Sequence, residues 1–177
     1  MDYQTARSLA KDGDIFFFSP QQSFWGKLFA DLMATSTKSK FVHSAIVFWY
    51  QDRLLLTESN FGGEIIVNAS TYEDRQNIAI IRPNKTWGQL DVRALASVGT
   101  TKYNWLDGGY ILLREYLFNH FSIKMPQQTT SARNFVCSEY VAYVLGLDDI
   151  TVSPGELYLK LKNENLGIEV MVPSSSS

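Results

Sequence analysis

Short apolar segments separated by turn residues fill the first half of the chain and limit the folds open to it. Asp12-Gly13 is a turn signal, and the apolar run after it, residues 14–18, is typical of a buried strand. Four later segments have the length and alternation of strands: residues 40–50, 53–59, 64–68 and 78–82. Pro83 ends the last of them because proline cannot donate to a sheet ladder. These segments predict a sheet built mostly from the first half.

Helix start signals are concentrated in the second half. Thr86 with Gln89, Asn104 with Asp107, Asn134, and Ser153-Pro154 all precede apolar stretches. They predict helices over residues 86–99, 104–121 and 135–145 and from 153 onward, the third ending at Gly146, and residues 168–172 are predicted to complete the sheet. With 45% hydrophobic residues the chain can form one real core. We therefore expect a single α+β domain over residues 1–172 and a disordered tail at 173–177.

A further helix is predicted after Ser19-Pro20, where apolar residues recur on one helical face. This stripe consists of Trp25, Leu28, Phe29, Leu32 and Met33. Such a stripe is most often packed on a core, but it also suits a surface that faces lipid or substrate. Trp25 is therefore a candidate substrate contact.

Composition and charge exclude several classes of function. Sixteen Lys and Arg residues against 18 Asp and Glu residues give a net charge of −2 without a dense basic run, which argues against nucleic-acid binding. One Cys and two His residues cannot form an intramolecular disulfide or a Cys-rich zinc site. A metal site built from carboxylates remains possible, but no His-x-x-x-His or similar spacing supports it, and we expect no metal and no cofactor. No stretch approaches the roughly 18–20 apolar residues that span a bilayer, and a signal peptide is lacking. A cytoplasmic location is expected, with export by another route and peripheral membrane contact left open.

Cys137 is the first candidate for chemistry. If Asn134 caps the predicted helix, Cys137 lies in its first turn, where unpaired N–H groups and the helix dipole stabilise a thiolate. The alternative is structural, because a free cysteine usually behaves as a small buried hydrophobic residue. His120, near the end of a predicted helix, suits the helix C-terminus and is expected to be structural.

His43 and Glu58 supply the second half of a thiol-hydrolase site. A two-residue turn at Gln51-Asp52 pairs residues 50 and 53, and this register places Asn60 opposite His43 and Glu58 diagonal to it. A carboxylate on one imidazole nitrogen fixes the tautomer and favours the charged ring. Alternation over residues 41–49 also places Phe41 on the His43 face. The alternative is a polar patch on a half-exposed sheet.

These residues lie in motifs that follow one another in the order of a known family. The motifs are Gly13-Asp14-Ile15-Phe16 and residues 35–47, 57–59, 101–105, 136–141 and 153–157. On them the chain resembles the circularly permuted NlpC/P60 papain-like cysteine hydrolases, in particular the YiiX-like branch, over about residues 13–162. In unpermuted papain-like enzymes the cysteine comes before the histidine, whereas here His43 precedes Cys137.

The resemblance implies a permuted papain-like α+β fold with a nucleophile helix packed against an antiparallel sheet. It implies Cys137 as nucleophile, His43 as general base and acid, and Glu58 as the residue that orients His43. Tyr-Asp is expected before the long helix, but this chain has Tyr103-Asn104, and Asn can replace the acid as a cap. Tyr103 is a candidate hydrogen-bond donor in the cleft, and Asn60 is a candidate substrate contact.

The chemistry of this set predicts a thiolate–imidazolium pair and a thioester intermediate. We expect a cysteine amidase or peptidase that cleaves a peptide or cell-wall-type amide. A lipid-active thiol acyltransferase or esterase is the alternative, although the Asn-Cys-Glu-His sequence of the related lecithin–retinol acyltransferase branch is lacking. A non-catalytic ligand-binding module is the third hypothesis. The substrate is expected to be a small-molecule, peptide or lipid amide or ester, and residues 123–133 could gate access to it.

Overall fold

The computed structural model describes residues 1–20, 40–60, 62–100, 102–126, 134–147 and 151–171. It has a mixed α/β fold in which six strands form one antiparallel sheet in the order β4-β3-β2-β1-β5-β8. The strands of this sheet are β1 Ile15–Phe18, β2 His43–Tyr50, β3 Arg53–Asn60, β4 Gly63–Asn68, β5 Ile78–Pro83 and β8 Gly167–Glu169. Two short parallel strands, β6 Lys102–Tyr103 and β7 Asn134–Phe135, lie apart from it.

The hairpin between β2 and β3 has the predicted register. Gln51 and Asp52 form the turn, and the pairs run from Tyr50 with Arg53 to Ile46 with Thr57. The predicted start of β2 at residue 40 is wrong, because the strand begins at His43. The prediction that Phe41 shares a face of β2 with His43 is wrong as well. Phe41 lies before the strand and packs in a different core cluster from Ala45 and Val47.

The helices begin at most of the predicted signals. They are α1 Tyr3–Leu9, α2 Trp87–Ala96, α3 Trp105–Phe121, α4 Cys137–Leu145 and α5 Pro154–Asn163, with a 3₁₀ helix at Ala69–Tyr72. The capping boxes predicted at Thr86 and Ser153 are both formed, and Asn104 caps α3 by accepting from the Asp107 amide at 3.2 Å. Helix α1 was not predicted, because seven residues are too few to show a helical period.

Helix α4 starts two residues later than predicted. Asn134 is not its cap, because Asn134 and Phe135 form β7 and pair with Lys102 and Tyr103. Val136 is the N-cap residue, so Cys137 is the first residue of the helix. Tertiary pairing therefore overrides the local cap signal and moves the thiol to the very start of α4.

Two apolar clusters pack on the sheet. One joins the sheet to α2, α4 and α5 and includes Phe17, Ile46, Leu90, Val141 and Leu157. The other joins it to α1 and includes Ala6, Phe16, Phe18, Val47 and Leu56. Helix α4 packs on β2 and β3, and this contact brings its start to the strands that carry the candidate residues.

Several predictions fall outside the described residues. These are Trp25 with the rest of its apolar stripe, the tail at 173–177, and residues 127–133 of the segment predicted to gate the site. Within the described part of the chain, no helix is long and apolar enough to cross a membrane. Strand β8 is shorter than predicted, because it ends at Glu169 rather than at residue 172.

Candidate active site

Four chain segments meet at one end of the sheet. Strand β1 ends at Phe18, which pairs with His43 at the start of β2, and β3 ends at Asn60. The Ser59 hydroxyl donates to the carbonyl oxygen of Phe135 at 2.7 Å. This buried hydrogen bond ties the end of β3 to the chain that enters α4, so the first residue of α4 lies beside the start of β2.

His43 and Glu58 are in direct contact, as the diagonal register predicts. His43 Nε2 lies 3.0 Å from Glu58 Oε2. The imidazole is 19% exposed, whereas the carboxylate is 2% exposed. A buried carboxylate needs hydrogen-bond partners or a counter-charge, and the His43 ring provides both when it is protonated.

Cys137 lies close enough to His43 for its charge and hydrogen-bonding capacity to raise the pKa of the imidazole. Because Nε2 faces Glu58, Nδ1 is the ring nitrogen left for the thiol. Cys137 is 6% exposed, and as the first residue of α4 it lies at the positive end of the helix dipole. The structure thus brings together the three residues predicted to form the catalytic set, and their catalytic roles stay predictions.

The charges of this set reinforce one another. Burial lowers the pKa of His43, but the Cys137 thiolate and the Glu58 carboxylate outweigh burial and raise that pKa to about 10. For Glu58, burial raises the pKa, but hydrogen bonding and charge from His43 prevail and hold it below its ordinary value. The arrangement therefore favours a protonated His43 ring beside an ionised Glu58 carboxylate.

Tyr72 is a member of the site that the sequence analysis missed. Its hydroxyl donates to Glu58 Oε2 at 2.8 Å, and its ring is stacked 5.7 Å from the His43 ring. Tyr72 ends the 3₁₀ helix between β4 and β5. No motif or period marks this position, and only the folded chain brings it to Glu58.

Of the three predicted substrate contacts, Asn60 and Tyr103 lie near the site, and the position of Trp25 is not described. Asn60 Nδ2 lies 3.5 Å from Glu58 Oε1, and its Oδ1 accepts from the Gly62 amide at 2.9 Å. Burial raises the pKa of Tyr103, and an electrostatic interaction with Cys137 acts in the same direction, which places this phenol near the thiol. Trp25 lies outside the described residues. Substrate binding by all three stays a prediction.

Glu139 is a second buried acid near Cys137 that the sequence analysis did not single out. Its Oε2 accepts from the Val136 amide at 3.1 Å, and its buried Oε1 has no hydrogen-bond partner among the residues that the structure describes. Burial raises the pKa of Glu139 to about 8, although the Val136 hydrogen bond acts against it. Glu139 is therefore largely protonated at neutral pH and adds little negative charge beside the thiol. The signal that could have found it is its position at N3 of α4, where capping boxes place an acid.

Among the residues that the structure describes, no three His, Cys, Asp or Glu side chains are grouped so as to hold a metal ion. His43 and Glu58 are in direct contact and have Cys137 as their neighbour.

Comparison with known proteins gives a structural match. No known family profile matches the chain, and no curated protein matches it. Its fold is similar to the crystal structure of the metalloprotein YiiX, a DUF1105 protein from Escherichia coli O157:H7. The TM-score is 0.54 at 13% sequence identity, and the match covers 92% of this chain and 97% of YiiX. At this identity the likeness shows the fold alone.

Proposed function

We propose that this protein is a cysteine hydrolase that cleaves an amide bond in a peptide or cell-wall-type substrate. The observation that carries the proposal is the position of His43, whose Nε2 contacts Glu58 and whose ring lies near enough to Cys137 for that residue to raise its pKa. We place the fold with the permuted papain-like NlpC/P60 hydrolases, in the YiiX-like branch. The motif order of the sequence and the structural likeness to YiiX support this placement.

The proposed reaction begins when His43 takes the proton of Cys137. The thiolate attacks the carbonyl carbon of the amide, and the resulting oxyanion is stabilised by backbone N–H groups at the start of α4. The C–N bond then breaks, the imidazolium gives its proton to the departing amine, and a thioester forms at Cys137. Water attacks the thioester with His43 as base, which releases the carboxylic acid and restores the thiol.

Glu58 holds His43 in place during these steps. Its carboxylate accepts from Nε2, which fixes the ring orientation and leaves Nδ1 for the thiol and the leaving amine. It also stabilises the imidazolium that forms when Cys137 loses its proton. This contribution is electrostatic and needs no proton transfer to Glu58.

The charges of the set favour an enzyme over a binding module. A module that only binds a ligand gains nothing from a buried carboxylate beside an imidazolium, since burying unneeded charges destabilises a fold. A thiol nucleophile, in contrast, requires that pair. Three residue types from three separate elements meet with the geometry of a nucleophile, its base and the residue that orients the base.

The test is turnover with trapping of the intermediate. Wild-type protein is incubated with dipeptide amides and with detergent-solubilised lipid esters, and amine and fatty-acid release are measured beside the intact mass of the protein. We expect amine release, an acyl adduct on Cys137, and loss of both in Cys137→Ala. Fatty-acid release alone would replace the amidase by a lipid esterase or acyltransferase. Full biological effect in Cys137→Ala would favour a binding module instead.

A further inference from the structure

We propose that Tyr72 is a positioning residue of this site: its hydroxyl shares the charge of Glu58, its ring fixes the orientation of the His43 ring, and both contacts set the pH at which the Cys137–His43 ion pair forms. The inference rests on the proposed function for its catalytic meaning. Two kinds of contact support it: a hydrogen bond from Tyr72 to Glu58, and ring contacts of Tyr72 with His43 and Phe18.

The hydrogen bond acts on the same oxygen that holds His43. Glu58 Oε2 accepts from the Tyr72 hydroxyl at 2.8 Å and lies 3.0 Å from His43 Nε2. A carboxylate oxygen has two lone pairs, so these two donors satisfy it. With the carboxylate 2% exposed, water cannot replace a lost donor easily, and each donor to the charged form lowers the pKa of Glu58.

The ring contacts fix the imidazole from its face. The Tyr72 and His43 rings are 5.7 Å apart and within 13° of parallel. Phe18 stacks on both, at 4.4 Å from Tyr72 and 5.8 Å from His43. These three rings, which we call the aromatic triangle, restrict rotation of the imidazole. Because Nε2 is held by Glu58, the triangle keeps Nδ1 directed at Cys137.

Tyr72 is itself held in place and stays a donor. The Asn68 side chain accepts from the Ser70 amide at 3.2 Å and starts the 3₁₀ helix that ends at Tyr72. The Arg75 guanidinium lies 5.7 Å from the Tyr72 ring centre and donates to the Ser19 carbonyl at 2.9 Å. Burial, followed by the charge of Glu58, raises the pKa of Tyr72, so the phenol remains protonated over the working range.

The titratable and charged groups that face this contact come from each neighbouring element. They are His43 on β2, Glu58 on β3, Cys137 on α4 and Arg75 after the 3₁₀ helix, with Tyr103 on β6 near the thiol. Among these groups, His43 shares an acceptor with Tyr72: the imidazole Nε2 and the Tyr72 hydroxyl both contact Glu58 Oε2. The pKa of His43 is therefore the quantity that removal of the Tyr72 hydroxyl moves most directly.

The experiment is an NMR titration of the imidazole nitrogens in the full chain. The chain has two histidines, His43 and the exposed His120, so His120→Gln assigns the signals and His120 serves as the internal reference. Tyr72→Phe keeps the aromatic triangle and removes the hydroxyl. Tyr50→Phe deletes the same group from an exposed tyrosine at the β2–β3 turn and is the matched control.

We expect His43 in wild type to titrate well above its ordinary pKa. Tyr72→Phe should raise that midpoint by about one pH unit, a tenfold change in proton affinity, because Glu58 is still ionised at that pH and no longer shares its charge with the phenol. Tyr50→Phe and the His120 signal should not move. A His43 midpoint that is unchanged or lower in Tyr72→Phe, or that moves equally in Tyr50→Phe, overturns the inference and leaves the proposed function standing. A wild-type His43 that titrates at an ordinary pKa overturns both.

Discussion

Glu58 acts on the site through its charge as well as its shape. Glu58→Gln keeps the size of the side chain and an acceptor for His43 Nε2 but removes the negative charge that favours the imidazolium. We expect kcat/KM on amide substrates to fall roughly 10²- to 10⁴-fold, the range for loss of an effective general acid–base partner. The pH range over which the enzyme is active should also become narrower, because the pKa of His43 falls.

Glu64→Gln is the matched control for this variant. Glu64 is another fully buried glutamate, on the neighbouring strand β4, and burial raises its pKa. Its side chain has no hydrogen-bond partner among the described residues, and it takes no part in the set of Cys137, His43 and Glu58. Steady-state kinetics should be unchanged in Glu64→Gln. Equal kinetic losses in both variants would mean that Glu58 acts through the fold alone.

At the level of single residues, the sequence could predict the contact between His43 and Glu58 because it depends on local information. A two-residue turn fixes the register of one hairpin, and the register fixes which side chains are diagonal neighbours. Tyr72 and Glu139 could not be found in this way. Tyr72 reaches Glu58 from a 3₁₀ helix, and the missing partner of Glu139 Oε1 is a property of the packed structure.

Helix α4 is held on the sheet by a buried hydroxyl. Tyr140 donates to the Ala94 carbonyl at 2.7 Å, and its oxygen lies 2.5 Å from Thr57 Oγ1, so α4, α2 and β3 meet at one atom. Tyr140→Phe leaves these partners buried without a bond. We expect it to lower the free energy of unfolding by about 1–3 kcal/mol in urea titrations. Tyr116→Phe, on the exposed side of α3, should change it by less than about 0.5 kcal/mol.

The acid at the start of α4 gives the stability of the protein a dependence on pH. Because burial raises the pKa of Glu139 to about 8, the folded state holds a proton that the unfolded state has already lost above its ordinary pKa near 4.5. The free energy of unfolding therefore decreases as pH rises between these values. Glu139→Gln keeps an acceptor for the Val136 amide and removes this titration.

Denaturant unfolding at several pH values measures this effect. Between pH 5 and pH 8.5, Glu139→Gln should lose less stability than wild type, with a difference of roughly 2–4 kcal/mol. Glu115, whose pKa burial raises to about 7, titrates in the same direction in both proteins and cancels in the comparison. Parallel curves for the two proteins would show that Glu139 is ionised in the folded state.

At the level of elements, prediction succeeds where a helix start is decided locally. The Ser153 side chain caps α5, and the Gln89 side chain accepts from the Thr86 amide at the start of α2; both signals are recognisable in the sequence. The N-cap of helix α4 is instead Val136, which has no polar side-chain atom. Its start is decided by the pairing of β7 with β6, two segments far apart in the chain, and a local pattern contains no information about that pairing.

At the scale of the whole molecule, the motif residues 13–16 serve the fold. Gly13 has a φ of 85°, which favours glycine, and its amide donates to the Val47 carbonyl at 2.8 Å. Asp14 is 1% exposed and receives two hydrogen bonds from Arg82, at 2.9 and 2.8 Å. This pair joins the start of β1 to β5, whereas the candidate site lies beyond the other end of β1.

Arg82→Met tests this separation of stability from chemistry. It leaves the Asp14 carboxylate buried without its counter-charge, and we expect the free energy of unfolding to fall by about 2–4 kcal/mol. Below the unfolding transition, the pH at which Cys137 reacts should be the same as in wild type. A shift in that pH would mean that the site and the far end of β1 are coupled.

The antiparallel sheet with helices was predictable from the spacing of apolar segments and helix signals. The order of the motifs pointed to the YiiX-like fold, and the similarity to YiiX over 92% of the chain agrees with it. Chemistry does not follow from such a likeness, since one fold carries many functions. The function depends instead on whether Cys137 and His43 form an ion pair.

The most direct test of that pair is the rate of alkylation of Cys137 by iodoacetamide as a function of pH, in wild type and in His43→Ala. Cys137 is the one cysteine of the chain, so the label reports this thiol alone. We predict that the wild-type thiol reacts well below the ordinary thiol pKa of about 8.5, and that His43→Ala loses this low-pH reactivity. A folded wild-type protein whose thiol reacts only near that ordinary pKa or on unfolding would contradict the account.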